Sequence, residues 1–253
     1  MPSVDHATWA PGRFASPVAT DGTRTQILAA APWLTRDMSE EERAEAAARA
    51  LAPTLVVDRG PWDPPLLAEA RAWGILVLDG VLARRASIRG HFATELMGPG
   101  DVVRPWSYAG PLAPIAAEAT FTAHSRITVA LLDEEFAASA SPWPHIAAGL
   151  IDEAVDRTRR LALALAVRHA VRVEERLLLT MWQLADRWGV VGRSGTVIRL
   201  PNVTHALLAD LVGARRPTVS LAIRHLRERG LLERRAGLWV LCEGPSMGLE
   251  HEE

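Results

Sequence analysis

Residues 204–230 constrain the fold more than any other stretch of this chain. Thr204 is of a type that caps helices, and Leu207, Leu208, Leu211 and Val212 follow it at the spacing of one helical face. Gly213 stops that helix. Pro217 stands at the start of a second one, where its missing N–H costs nothing. The second helix carries Val219, Ala222, Ile223 and Leu226 on one side. Its other side presents Arg216, Ser220 and Arg224, four apart, flanked by Arg215, Thr218 and Leu221. Gly230 ends it. Two short helices about a glycine turn, the second apolar inside and arginine-bearing outside, make a helix-turn-helix. Such a helix fits the ~12 Å major groove of B-DNA.

A small hairpin follows directly: residues 231–235, a turn at Ala236-Gly237, then residues 238–241. Arg234 and Arg235 lie at its tip, where guanidinium groups suit phosphate contact, so the hairpin reads as a wing. An ordinary surface helix pair with solvated charges would share some of these signals, and the charge distribution weighs against it. The whole chain has a net charge of −2 over 253 residues. Residues 168–241 hold 13 arginines against six carboxylates, a net of +7, which leaves −9 for the rest. An acidic front and a basic back suggest that one half meets a polyanion. All 28 basic residues are arginine, which codon bias in a GC-rich genome explains as simply as any chemistry.

The single cysteine, Cys242, excludes an internal disulfide, a Cys-rich zinc site and a four-cysteine iron–sulfur cluster. A reducing cytoplasm is the expected compartment. The N-terminal eight residues hold no basic region followed by an apolar stretch, so no signal peptide is expected. The apolar stretch 161–167 is far short of the ~20 residues that a membrane span needs.

Upstream, the periodicity predicts three parts: a β-roll with N-terminal helices over 1–140, a long helix over 141–170 and the winged helix-turn-helix over 171–253. Residues 1–25 read as a polar leader and 26–34 as a short helix. Ser39 with Glu42 forms a capping box for a helix over 39–51. Gly-Pro-Trp-Asp-Pro-Pro at 60–65 breaks regular structure. Residues 75–78 and 81–88 flank Asp79-Gly80 as a hairpin would. Residues 92–97 form a strand closed by Gly98-Pro99-Gly100, and 126–132 another, with Ile127, Val129 and Leu131 on one face. Short strands with Gly-rich turns suggest a small barrel or roll. Ala147, Ile151, Ala154, Thr158, Leu161 and Leu165 then step by 4, 3, 4, 3, 4, a seam of small and apolar residues with the charges off the row. A dimer seam is preferred over packing on the helix's own domain. A second amphipathic helix over 173–188, a loop over 189–195 and a short strand over 196–200 complete the reading. The fold class is α+β.

In "RLLLTMWQLADRWG", "LADLVGARRPTVSLAIRHLRERGLLERRAGLWVL" and "LMGPGD" the chain resembles the Crp/Fnr (cyclic-AMP receptor protein and fumarate–nitrate regulator) family of bacterial transcription factors. The resemblance is weakest before about residue 70. It implies a cyclic-nucleotide-binding-like β-roll sensor, a long dimer helix and a C-terminal winged helix-turn-helix. The implied partners are double-stranded DNA bearing a pseudo-palindromic operator and a second copy of the chain, with RNA polymerase as a candidate.

The departures carry information too. Where the family's recognition helix often opens Ser-Arg-Glu-Thr-Val-x-Arg, this chain has Arg215-Arg216-Pro217-Thr218-Val219-Ser220-Leu221. The carboxylate that would accept from cytosine N4 and the second guanidinium are gone, so a different operator is expected. Arg216 is the expected guanine reader, Leu221 can touch a thymine methyl, and Thr204, His205, Arg215 and Arg224 are expected on phosphates. Thr218, Ser220, Arg234 and Arg235 complete the expected DNA surface. The family's cyclic-nucleotide binders carry a glutamate after this turn and an arginine about a dozen residues on. Here the turn runs Gly100-Asp101-Val102-Val103 and the arginine position falls near Ala117, so a cyclic nucleotide is not the expected effector. Arg104, Trp106 and Trp62 are the candidate effector-binding residues of the roll, and the effector, if one exists, is unidentified. No cofactor, metal site or catalytic residue is expected; His91, His124 and His145 lack partners at ligand spacing. Two alternatives remain at this point. One is a cupin-like enzyme with an accessory C-terminal part, which His-x-His pairs would support and this chain lacks. The other is a dimeric scaffold without DNA affinity.

Overall fold

The computed structural model describes residues 18–65, 72–104, 117–193, 195–200 and 202–242. Two antiparallel sheets form a roll. One has the strand order β1 (Val18–Gln26), β2 (Leu51–Val57), β9 (Ile127–Leu132), β4 (Gly74–Asp79), β7 (Val102–Val103). The other runs β3 (Gly60–Trp62), β8 (Glu118–Ala123), β5 (Leu82–Ile88), β6 (His91–Met97). Their facing sides share a core of Trp62, Ile75, Val77, Leu82, Phe121 and Val129, among others. The first sheet buries its other side as well. Leu76, Ala130 and Leu132 pack against Ile27, Leu34, Ala46 and Phe136 from the turn and helices around it. Strand β9 therefore has Ile127 and Val129 inside and Ala130 and Leu132 outside, apolar on both faces.

The helices begin with α1 (Glu40–Arg49), where Ser39 and Glu42 make the capping box read from the sequence. Helix α2 (Glu134–Ala140) is capped by Asp133, which also holds Arg24 of β1 at 2.7 and 3.0 Å. Helix α3 (Pro144–Arg168) runs for 25 residues to α4 (Val173–Trp188). A third sheet, β10 (Gly189–Gly192), β11 (Gly195–Ile198), β13 (Leu238–Leu241), β12 (Leu232–Arg235), lies beside α5 (His205–Val212) and α6 (Arg216–Glu228). Leu177, Met181, Leu208, Val219, Ile223 and Trp239 share a core there, and Val81, Ala83 and Leu96 of the roll belong to the same core. Among the described residues no helix is long and apolar enough to cross a membrane.

Several sequence expectations are corrected. Residues 18–25 of the expected leader belong to β1, and the expected helix over 26–34 is instead the end of β1, a turn and the start of a short 3-10 helix, Pro32–Thr35. The breaker at 60–65 contains β3, which tolerates Pro61 because it is an edge strand. Asp79-Gly80 joins no hairpin: β4 pairs with β7 and β9, β5 with β6 and β8. The chain crosses between sheets there, with Gly80 at φ +85°, where a Cβ would lie 2.4 Å from the Arg126 carbonyl oxygen. The hairpin that does form is β5–β6, turning at Arg89 and Gly90, both with positive φ. The expected loop at 189–195 holds β10, hydrogen-bonded to β11.

Candidate nucleic-acid interface

Helix α5 forms where the sequence places it. The Thr204 hydroxyl accepts from Leu207 N–H at 3.2 Å, and Gly213 closes the helix in the left-handed region at φ +65°. Leu207, Leu208, Ala209 and Val212 are buried. Arg215 is the N-cap of α6, with Arg216 and Pro217 in its first turn. Val219, Ala222, Ile223 and Leu226 are at most 3% exposed, which docks α6 firmly by its inner side. Val219, Ile223 and Leu226 are buried to this degree, and each such side chain is worth ~1.5–3 kcal/mol.

The outer side stands free. Arg215, Arg216, Thr218, Leu221 and Arg224 are exposed. Among the described residues no carboxylate pairs with Arg215 or Arg216, and Arg224 meets only Glu228, at 3.7 Å with both side chains 65% exposed. That pair is too wet to hold Arg224 away from a phosphate. Ser220 is half-buried and shares a 2.9 Å hydrogen bond with His205 Nδ1, which links the two helices. Burial first, then the cations Arg234 and Arg216, push the His205 imidazole below its ordinary range. At neutral pH it is therefore neutral.

The wing also forms, turning at Ala236 and Gly237 with positive φ at both. Its two tip arginines differ. Arg235 is paired with Glu233 at 2.6 Å, whereas the Arg234 guanidinium lies over the Trp239 ring, 5.3 Å from its centroid. Trp239 went unnoticed in the sequence. Its indole N–H donates to the Val203 carbonyl at 3.1 Å and its ring lies 6.0 Å from that of His205. It fixes the wing to the start of α5. A tryptophan two residues after a tight turn is the one signal that could have pointed to it.

The long helix leaves its apolar side uncovered. Ile151 and Leu165 are each 62% exposed and Leu161 39%, with Ala154 and Thr158 exposed between them and Ala147 half-buried. Val155, outside the row read from the sequence and 61% exposed, borders the stripe, whereas Leu163 falls on the opposite side of the helix at about 100° per residue.

The candidate effector residues are not brought together. Trp62 is 2% exposed, inside the roll and edge-on to Phe121 at 6.2 Å, so it serves the core. Trp106 lies outside the described residues. Arg104 is exposed and lines an open cavity of about 900 Å³ between α2, α3 and the roll, with Trp73, Arg84, Leu150 and Arg157. In its wall Arg84 and Arg157 converge on Glu95, at 2.7 and 2.6 Å, all three about 15% exposed. Glu134 also lines the cavity, so that three guanidinium groups, Arg84, Arg104 and Arg157, stand against two carboxylates, Glu95 and Glu134, in and behind its wall. Ala117, near the position where the resemblance would place a phosphate-binding arginine, is buried. Among the described residues no group of three His, Cys, Asp or Glu side chains is placed to hold a metal ion.

Residues 171–243 match the model of the Crp-like helix-turn-helix domain. No curated protein matches the chain. Among solved structures, the chain is similar to a CooA mutant from Carboxydothermus hydrogenoformans, at 17% identity and a TM-score of 0.60 over 89% of this chain and 94% of that one. It is also similar to FixK2 from Bradyrhizobium japonicum, at 19% identity and 0.57 over 76% and 93%. Against OCPA-complexed CprK the values are 14% and 0.54 over 81% and 92%. The C-terminal part is thus a Crp-like helix-turn-helix domain, the mark of a DNA-binding transcription regulator. The chain as a whole shares its fold with these solved structures.

Proposed function

We propose that the chain acts as a homodimer, pairing through α3 and reading a pseudo-palindromic operator with α6, under the control of a small effector that is not a cyclic nucleotide. In this reading residues 1–140 are the sensor, 141–170 the dimerisation helix and 171–253 the DNA-binding part. The observation that carries it is the contrast between the two sides of α6. Its inner row is at most 3% exposed, and its outer row presents Arg216 and Arg224 to solvent without a tight internal partner. Two such helices related by the α3 seam stand about one turn of DNA apart, ~34 Å. Arg216 forks onto guanine and Leu221 meets a thymine methyl. Thr204, His205, Arg215, Arg224 and Arg234 hold phosphates; Arg235 does so only after leaving Glu233.

The effector site is the open cavity beside α3. Its excess of guanidinium suits an anion, and Trp73 offers an apolar face. Asp101, the carboxylate nearest the family's ribose-binding position, is fully buried and fully engaged by protein donors, which supports a ligand other than a cyclic nucleotide. The compartment is the cytoplasm, RNA polymerase is a candidate partner, and no catalytic role is assigned. Selection of bound fragments from random DNA by the full-length protein tests the reading. A pseudo-palindrome with a guanine in each half-site is expected. Recovery of no enriched sequence, or of the half-site read by the full Ser-Arg-Glu-Thr-Val-x-Arg motif, contradicts it.

A further inference from the structure

Asp101 is 0% exposed, at the end of the Gly98-Pro99-Gly100 turn between β6 and β7. Its carboxylate gathers three parts of the molecule. Oδ1 accepts from Arg160 Nη2 of α3 at 2.8 Å. Oδ2 accepts from Arg187 Nη1 of α4 at 2.5 Å and from the Gly98 N–H at 2.8 Å. The turn is itself anchored, since Val77 N–H donates to the Asp101 carbonyl and Gly100 N–H to that of Val77, both at 2.9 Å. Around it the end of α4 is gripped. Arg187 also donates to the Pro99 carbonyl at 3.3 Å, and a Cβ on Gly98 would lie 3.2 Å from the Trp188 ring.

Packing alone does not fill this junction. A cavity of about 110 Å³ lies there, lined by Thr94, Thr180, Gln183, Arg160 and Arg187, and the Thr94 hydroxyl is buried without a partner among the described residues. A charge-assisted contact fixes direction where packing leaves room. Glu153 also meets Arg160, at 2.7 Å; burial first, and the neighbouring Asp101, push its carboxyl above the ordinary range although Arg160 opposes this. Helix α4 shares one core with α6, through Leu177, Met181, Val219 and Ile223, so whatever fixes α4 fixes the reading helix.

We infer that Asp101 is a positioning residue that sets the orientation of the DNA-reading helix relative to α3 and the roll, through Arg160 and Arg187. It contacts no DNA. Its effect is on the geometry with which a dimer engages both half-sites at once. The inference rests on the DNA-binding reading for its consequence but not for the clamp itself, and the experiment separates the two.

The probes are the palindrome selected by the wild-type protein, the same DNA with one or two base pairs inserted between half-sites, and a single half-site. The proteins are full-length wild type, Asp101→Asn, Arg187→Gln and the conservative Arg187→Lys. In the wild type, affinity drops sharply with each insertion. In Asp101→Asn and Arg187→Gln the half-site affinity is retained, the palindrome affinity falls by about 5- to 150-fold, the usual range of coupling between linked sites, and the spacing dependence flattens. Arg187→Lys restores part of the spacing preference. An unchanged spacing profile overturns the inference, and so does a parallel loss on half-site and palindrome. Hydrogen exchange of the amides at 183–188 needs no DNA: faster exchange in both variants supports the clamp, and unchanged exchange refutes it. If Asp101→Asn does not fold, Arg187→Gln decides. If the wild type selects no DNA, the regulator reading fails while the exchange measurement still judges Asp101.

Discussion

Replacing Leu165 by alanine separates a subunit seam from an ordinary surface. In the single chain Leu165 is 62% exposed, so its removal takes little from the fold of one subunit, within about 0.5 kcal/mol for an exposed helix position. A second copy on the seam covers it. Full burial of a leucine is worth roughly 1.5–3 kcal/mol, so covering the exposed part contributes about 1–2 kcal/mol per subunit. A two-fold interface counts the loss twice, about 2–4 kcal/mol in all, or roughly 30- to 700-fold in the dimer dissociation constant. Sedimentation equilibrium over a concentration series reads that shift, and thermal unfolding of the dilute monomer serves as the control. Leu165→Asp goes further, because it sets two carboxylates near the axis. An unchanged dissociation constant refutes the seam. A fall in monomer stability without a change in association would mean that the chain's own residues cover Leu165.

Three other outcomes follow from the geometry. Arg224→Ala lowers operator affinity about equally for all sequences and reduces the slope of log affinity against log salt by about 1 per subunit; an unaltered slope removes Arg224 from the phosphate contacts. His205 is held below its ordinary pKa by burial, Arg234 and Arg216, and a DNA phosphate beside it raises that value. Binding then takes up a proton, so affinity rises from about pH 7.5 to pH 5.5, and His205→Gln abolishes this part of the pH dependence; an identical profile in the variant contradicts the contact. Burial would raise the Asp133 carboxyl, yet the bonds from Arg24 and the Phe136 N–H hold it below the usual carboxylate range. Its stabilisation is present at neutral pH and lost as the pH falls below about 4. Asp133→Asn keeps a competent cap but loses the charge-assisted pair with Arg24, so it should cost about 1–2 kcal/mol at pH 7 and little in acid by denaturant titration; an equal cost at both pH values disproves the assignment.

The parts of the fold that were legible in the sequence are those with one buried face and a glycine at the end. Helix α6 shows this best: its inner row, Pro217 and Gly230 all point to one helix with one outer side, and the structure gives the same row buried. The wing was legible because Ala236-Gly237 is a strong local turn signal between short apolar runs. Where local signals mislead, long-range pairing decides. Asp79-Gly80 has the chemistry of a tight turn, yet both flanking strands find other partners, since Leu82 is needed in the second sheet and Ile75 in the first. Strand β10 was hidden because Val190 and Val191 lie among glycines and gain their strand character only from pairing with β11. Among site residues, the outer face of α6 could be read from spacing alone. Trp239, Asp101 and the Arg84–Glu95–Arg157 cluster could not, because each role depends on at least one contact across 36 to 86 positions of chain.

The most direct measurement of the central claim is the base preference of an Arg216→Ala protein. Wild type and variant are titrated on the selected palindrome and on four single-base substitutions at its guanine, at one fixed salt concentration. A guanine reader predicts that the wild type favours guanine by about 1–3 kcal/mol there and that the variant loses that preference while keeping its preferences elsewhere. A variant that still favours guanine by the same margin would show that the exposed face of α6 does not read DNA.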